Sequence, residues 1–460
     1  MTTNTLAPKQ IVEVQVTGLG SSGEGVGKLN GFAIFVKGAL TGETVKVQLT
    51  EVKKTYALGK VTEIVKASTE RVEPICPIYA ECGGCQLQHL SYAGQLKEKE
   101  QQVRDALVRL GHLKDTVVLP TIGADNPLYY RNKMQFPVSQ LKGKLEIGCF
   151  AEATHRVIDV DNCYIQKEKN NEIITVVRQW MAQYKIQAYN EDTQRGIVRH
   201  VMGRVGVHTG EVMVVLVTAT TDVPHIKELA KMLKAAIPGV KSIVQNVNKR
   251  HTNVILGLKT RLIAGKETIR DKVGTLKFNI SSQSFFQVNS EQAEKLYNKA
   301  MEFAALTGKE TVVDIYCGTG TITLFLAKQA RQVYGIEIIP AAIEDARKNA
   351  QDNHCANAHF VLGDAAQKMP ELVERGVSPD VVLLDPPRAG CEERVLASLV
   401  QVKPKRIVYV SCNPASLARD AAYLSKHGYN VKLAQPVDMF PQTHHVECIA
   451  LLRRKISENP

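Results

Sequence analysis

From residue 271 onward the chain repeats one pattern that few folds can absorb: short apolar runs rich in β-branched residues, each followed by a helical stretch. The runs are TVVDI, VYGIEII, HFVL, DVVLL and RIVYVS. Strands that are apolar on both faces belong in a sheet with helices packed on either side. The expected fold class is therefore α/β, with a doubly wound, Rossmann-like domain over 271–460. The first run continues as VVDIYCGTGTITL, with Gly318 and Gly320 in the turn before a helix, where missing side chains let a ligand approach the backbone. A nicotinamide dinucleotide would call for another glycine three residues past Gly320, and Thr323 stands there.

Acids close the next two strands. Glu337 ends VYGIE, where a carboxylate can accept from both hydroxyls of a ribose, and Asp364 ends LGD, near the expected adenine. The series resembles that of the class I S-adenosylmethionine-dependent methyltransferases over roughly 271–460. The resemblance implies S-adenosylmethionine as methyl donor, with Glu337, Asp364 and Asp385 lining its site. Asp385 opens DPPR, whose fourth position in many such enzymes is an aromatic that stacks on a base. Arg388 stands there instead, so an amino-methylating mechanism loses its stacking group. In this fold a seventh strand inserts antiparallel beside the fifth. With neighbouring strands about 4.8 Å apart, HHVECIALLRR as the seventh brings Glu447 to the rim where RIVYVSC ends at Cys412, beside Asp385.

A thiol facing a carboxylate suits methylation at carbon 5 of uracil. That carbon is a poor nucleophile until a thiolate adds at carbon 6, and its proton must then be removed so that the thiol can leave. Cys412 is the expected nucleophile and Glu447 the expected general base. A free thiol titrates near about 8.5 and needs help to ionise; Arg388 is the candidate by adjacency. DPPR, VSCNP and MFPQTHHVE together resemble the RNA uracil-5-methyltransferase family, which assigns Cys412 and Glu447 these same roles. The resemblance further implies Gln287, in FFQVN, and Tyr316, in the glycine turn, as donor contacts.

Ahead of this domain, residues 11–65 alternate in short strands separated by glycine turns, as in IVEVQV and ETVKVQL. They suggest a small closed barrel and resemble the TRAM domain, an OB-like RNA-binding module. The expected division is a barrel over 1–67, a mixed α+β central domain over 68–270 and the methyltransferase domain over 271–460. A helix is expected over 92–111, with Leu96, Val103, Leu107 and Leu110 at helical spacing, and strands at KLEIGCF, VMVVLVTAT and SIVQNVN.

Ten cysteines in a chain without a secretory leader suggest metal or catalytic roles rather than disulfides. CPIYAECGGC sets Cys76, Cys82 and Cys85 at a C-x5-C-x2-C spacing, which a fourth thiolate would complete as a zinc site or a cubane cluster. Cys149 and Cys163 are the candidates. Cys149 reads as an alternating strand residue, which favours Cys163. A subset of the uracil-5 family carries a [4Fe-4S] cluster with this spacing, so the resemblance implies iron and sulfur over zinc, in a structural role. Cys317, Cys355, Cys391 and Cys448 read as packing thiols.

A net charge of +12 suits a polyanionic partner. YYRNKMQF, RHVMGR and NKRH place basic residues beside polar or aromatic ones and are candidate RNA contacts. Barrel and cluster cysteines together resemble the ribosomal-RNA members of the family, which implies a 23S ribosomal RNA uridine as substrate, with transfer RNA as the alternative. An amino-methyltransferase and a non-catalytic RNA-binding assembly factor are the remaining readings. A polar N-terminus and the lack of a long apolar run suggest a cytoplasmic protein without a membrane segment. A monomer is expected.

Overall fold

The computed structural model describes residues 6–141 and 143–455; the first five residues of the polar N-terminus lie outside them. Strands Ile11–Leu19, Gly25–Leu29, Phe32–Lys37, Thr44–Val52 and Tyr56–Lys66 close into a barrel. Its interior follows from the alternation in IVEVQV: Val12, Val14 and Val16 point inward onto Ile34, Val36, Val45 and Val47. Closure leaves no free strand edge.

The central region is built on a seven-stranded sheet. Its middle strands Lys133–Leu141, Val198–Val205, Val212–Thr218 and Val240–Val247 pair in that order. Helices Glu168–Gln183 and Ile226–Ala236 pack on it through a core around the single, fully buried Trp180. Among the described residues no helix is long and apolar enough to cross a membrane.

The C-terminal sheet has strands β1 (Thr311–Ile315), β2 (Gln332–Glu337), β3 (Ala358–Leu362), β4 (Val381–Leu384), β5 (Arg406–Ser411), β6 (Tyr429–Val437) and β7 (Glu447–Arg454). Their order is β3-β2-β1-β4-β5-β7-β6, with β7 antiparallel to both neighbours. The fully buried TVVDI and VVLL of β1 and β4 show why these runs carry no polar alternation. Apolar clusters lie on both faces of the sheet.

Two features depart from the sequence reading. The helix ends as α-helix at Asp105 and continues as one π turn, Ala106–Leu110. Its buried stripe is Gln95, Lys99 and Val103, whereas Leu96 is half-buried and Leu110 exposed. Residues near 92–122 also pack on the C-terminal sheet rather than the central one. Val103, Leu107 and Val118 join its core, and Val117–Val118 pairs with β6.

Candidate functional site

Strand register brings together the thiol and the carboxyl that the sequence singled out. Ser411 on β5 pairs with Cys448 on β7, so continuing the antiparallel register by one residue sets Cys412 opposite Glu447. Directly opposed residues in such a ladder have Cα atoms about 4.5–5.5 Å apart. Cys412 is half-buried just before the helix Pro414–Lys426, whose cap Asn413 accepts from Ala415 N at 3.1 Å. The Asn413 amide also donates to Arg388 O at 3.1 Å, fastening the DPPR loop to the thiol loop.

The carboxyls around the thiol resist ionisation. Burial, then the Asp385 carboxylate, pushes Glu447 up to about 8. Burial alone raises Asp385 to about 7. Burial followed by Glu447 and Asp385 raises the Cys412 thiol to about 11, against a downward pull from Arg388. Arg388 thus acts in the direction expected from sequence but is outweighed.

The glycine turn after β1 holds Tyr316, Gly318 and Gly320 at φ of 67°, 54° and 82°. A Cβ at Gly318 would meet nothing within 4 Å, so the turn opens onto free space there. Gly318 N donates to Glu337 Oε2 at 3.1 Å, and Ile338 N to Glu337 Oε1 at 2.8 Å, which fixes the β2 carboxylate at the turn. Asp364 caps the following helix through Ala366 N at 2.8 Å and pairs with Arg394 at 2.7 Å. The Gln287 backbone carbonyl accepts from Asn132 Nδ2 at 2.9 Å, and its side chain lies against the buried Tyr297 hydroxyl.

Sequence reasoning gave no role to Asp314, the acid within the first apolar run. Its Oδ2 accepts from Thr323 Oγ1 at 2.5 Å, while its buried Oδ1 has no hydrogen-bond partner. Burial, with Asp385 and Glu337 nearby, raises it to about 7. Ile338 and Leu362 are exposed apolar residues where β2 and β3 end, a surface an adenine can cover. The signal for both was available: an acid followed by glycines, and apolar side chains directly beside strand-ending polar ones. Buried carboxyls with an orphaned acceptor favour a cationic ligand, and S-adenosylmethionine carries both a sulfonium and an ammonium.

A second site lies in the central region. A cavity of about 310 Å³ is lined by Cys76, Cys82, Cys85, Cys149 and Cys163, together with Arg131, Lys133 and Gln135. The strand thus delivers Cys149 to the same cavity as Cys163, and alternation does not separate the two. Among the described residues no group of three or more histidine, cysteine or acidic side chains is placed to hold one metal ion. Of the basic segments, RHVMGR turns Arg199 inward, where it donates to Asn248 O and Arg250 O and pairs with Glu191. Cys317, Cys391 and Cys448 are buried in the sheet cores.

The strand order and the rim of acids, glycines and thiol define a class I S-adenosylmethionine-dependent methyltransferase. The family model for tRNA (Uracil-5-)-methyltransferase matches residues 91–455, and that for the TRAM domain residues 8–62. The chain belongs to this uracil-5-methyltransferase family and is an RNA methyltransferase. An uncharacterized RNA methyltransferase of Clostridium acetobutylicum is 49% identical over 444 residues, 96% of each chain. One of Halalkalibacterium halodurans is 50% identical over 445 residues, 97% of each. Among solved structures, the Pyrococcus abyssi tRNA (uracil-54, C5)-methyltransferase in complex with S-adenosyl-L-homocysteine is 31% identical, with a TM-score of 0.77. That match covers 96% of this chain and all of the other.

Proposed function

We propose that the chain, acting as a cytoplasmic monomer, methylates carbon 5 of a uridine in 23S ribosomal RNA through a covalent adduct. The observation that carries this reading is the register that sets Cys412 opposite Glu447, next to Asp385. Gln287, Tyr316, Glu337, Asp364 and Asp385 are the side chains that would hold the donor, and Asp314 joins them through its orphaned oxygen. The donor supplies an electrophilic methyl and a positive charge that favours the ionised forms of the thiol and carboxyls around it. Cys412 adds to carbon 6 as thiolate, which makes carbon 5 nucleophilic. After methylation, Glu447 takes the carbon 5 proton as the carbon–sulfur bond breaks, restoring the ring double bond.

The cysteine cavity supports a structural [4Fe-4S] cluster held by Cys76, Cys82, Cys85 and Cys163. A water molecule occupies about 30 Å³ of liquid, so a cavity of about 310 Å³ offers room beyond the need of a single ion. The thiol set has the chemistry of cluster ligation. Anaerobically purified Cys163→Ser is expected to lose its iron and Cys149→Ser to keep it. Iron lost from Cys149→Ser alone would reverse the assignment.

Lys133 and Arg204 stand directly opposite each other across neighbouring strands. Like charges so placed repel unless an anion joins them, and Arg131 lines the same cavity as Lys133. Arg204 Nη2 is taken up by Ser282 O and Ser284 O, which leaves Arg131 and Lys133, beside the cysteines, as the cations an RNA phosphate would meet. Arg131→Ala and Lys133→Ala are each expected to lower the slope of log affinity against log salt by about 0.7 to 0.9, one phosphate contact apiece. An unchanged slope would remove these residues from the RNA path.

The barrel and cysteine cavity together support the ribosomal substrate. Likeness to the Pyrococcus abyssi enzyme, which spans the barrel region too, supports transfer RNA as the second reading. Methyl transfer from labelled donor to each RNA, followed by digestion to nucleosides, decides between them: 5-methyluridine is expected in 23S ribosomal RNA. Label confined to transfer RNA would establish the second reading.

A further inference from the structure

The loop 438–446 joins β6 to β7 and ends at Glu447. Its hydrogen-bonding groups are gripped from outside the strand order that defines the methyltransferase fold. Lys99 Nζ donates to Asp438 Oδ1 at 2.5 Å and to Phe440 O at 3.2 Å. Tyr92 donates to Asp438 Oδ2 at 2.9 Å, and Tyr130 to Pro441 O at 3.0 Å. Gln95 and Gln442 form a reciprocal pair. Gln442 N donates to Gln95 Oε1 at 2.9 Å, and Gln95 Nε2 to Gln442 Oε1 at 3.0 Å. Gln86 N and Leu87 N, directly after Cys85, both donate to Gln442 O at 3.0 Å.

Gln442 needs this grip because it sits at φ 71°, a left-handed conformation that a non-glycine residue holds only when its surroundings impose it. The helix carries an unusual burial pattern for the same reason. Gln95 and Lys99 are each 1% exposed on the stripe that a packing helix normally fills with apolar side chains. Buried amides and ammonium groups are retained only with partners: Lys99 finds the Asp438 carboxylate, itself fully buried, and Gln95 finds the Gln442 amide beside Leu87 O and Leu90 O.

We infer that Gln95 and Lys99 are positioning residues for the reaction: they hold the 438–446 loop so that the Glu447 carboxylate reaches the carbon 5 proton of the methylated adduct. The inference rests on Glu447 being the base. Losing the latch leaves thiolate addition and methyl transfer in place, because Cys412 directly follows β5 and the latch bonds end on Asp438, Phe440, Pro441 and Gln442. It slows the last step, in which the proton passes to Glu447, the carbon–sulfur electron pair leaves with the thiolate, and the ring double bond returns.

The test is single-turnover reaction of Gln95→Leu with substrate RNA, following the methylated protein–RNA adduct on denaturing gels beside the parent protein. The variant is expected to form the adduct at the parent rate and to resolve it on the order of 10- to 100-fold more slowly, with KM for RNA unchanged. Lys99→Met should do the same and Lys99→Arg should restore much of the loss. If Gln95→Leu fails to fold, Gln442→Gly keeps the test open, since glycine accepts the left-handed backbone while the side-chain bond to Gln95 is lost. Resolution at the parent rate in a folded variant would overturn the inference, and so would equal slowing of adduct formation and resolution. A parent protein that forms no adduct would instead overturn the reading of Glu447 and Cys412 on which it stands.

Discussion

Cys412→Ala is expected to abolish methyl transfer, by about 10⁴-fold or more, since nucleophiles that act as part of a unit cost that much when removed. Donor binding, measured by calorimetry, should survive, because the thiol follows β5 whereas the glycine turn and the acids expected to face the donor lie on or just after β1, β2, β3 and β4. The replacement is sterically mild at a half-buried position that follows the end of a strand. It also removes a group whose ionisation the site resists, with burial, Glu447 and Asp385 raising the thiol to about 11. Full activity in the alanine variant would make Cys412 a bystander and favour an amino-methyltransferase.

Glu447→Gln is expected to leave two signatures. The first is kinetic: methylated adduct forms and persists, because no carboxylate takes the carbon 5 proton, and turnover falls by a factor of about 10² to 10⁴, the usual worth of a general base. The second is thermodynamic. Glu447 titrates near 8 in the folded chain against an ordinary value of 4.5, so the fold binds its proton more tightly than the unfolded chain does. Stability from that proton is present in full below about 4.5 and is lost as pH rises to about 8. Removing the carboxyl removes the loss. The glutamine variant should therefore melt above the parent at pH 8, by a free energy on the order of a few kcal/mol, with the difference shrinking toward pH 4.5. Asp385 shifts the same way beside it, so the two titrate as a pair. Equal melting at both pH values would show that Glu447 is not held against ionisation. In the parent the base must be charged to act, so activity should rise with pH toward about 8.

What could be read from the chain follows from where its signals come from. The sheet was legible because β1, β4 and β5 are buried on both faces and so carry uninterrupted apolar runs. The meeting of Cys412 and Glu447 was legible because strand order and direction fix which ends meet. Periodicity placed the helical segment 92–110 and the buried Val103 and Leu107, but it could not show that Gln95 and Lys99 share the buried stripe, because their partners lie on a polar loop distant in sequence. Val117–Val118 is too short for any alternation to announce a strand. Cys149 and Cys163 could not be separated by pattern, because proximity to Cys82 and Cys85 depends on how the central sheet folds back on the cysteine segment. The orphaned oxygen of Asp314 has no counterpart in sequence at all, since it is defined by which neighbour Thr323 satisfies.

The central claim is attack on uracil by a thiol with loss of the carbon 5 proton, and tritium release tests it most directly. Large-subunit ribosomal RNA labelled with tritium at uridine carbon 5 is incubated with anaerobically purified protein and S-adenosylmethionine. The account expects label to appear in water only when the donor is present, and to vanish with Cys412→Ala. Methyl incorporation into ribosomal or transfer RNA without tritium release would contradict it.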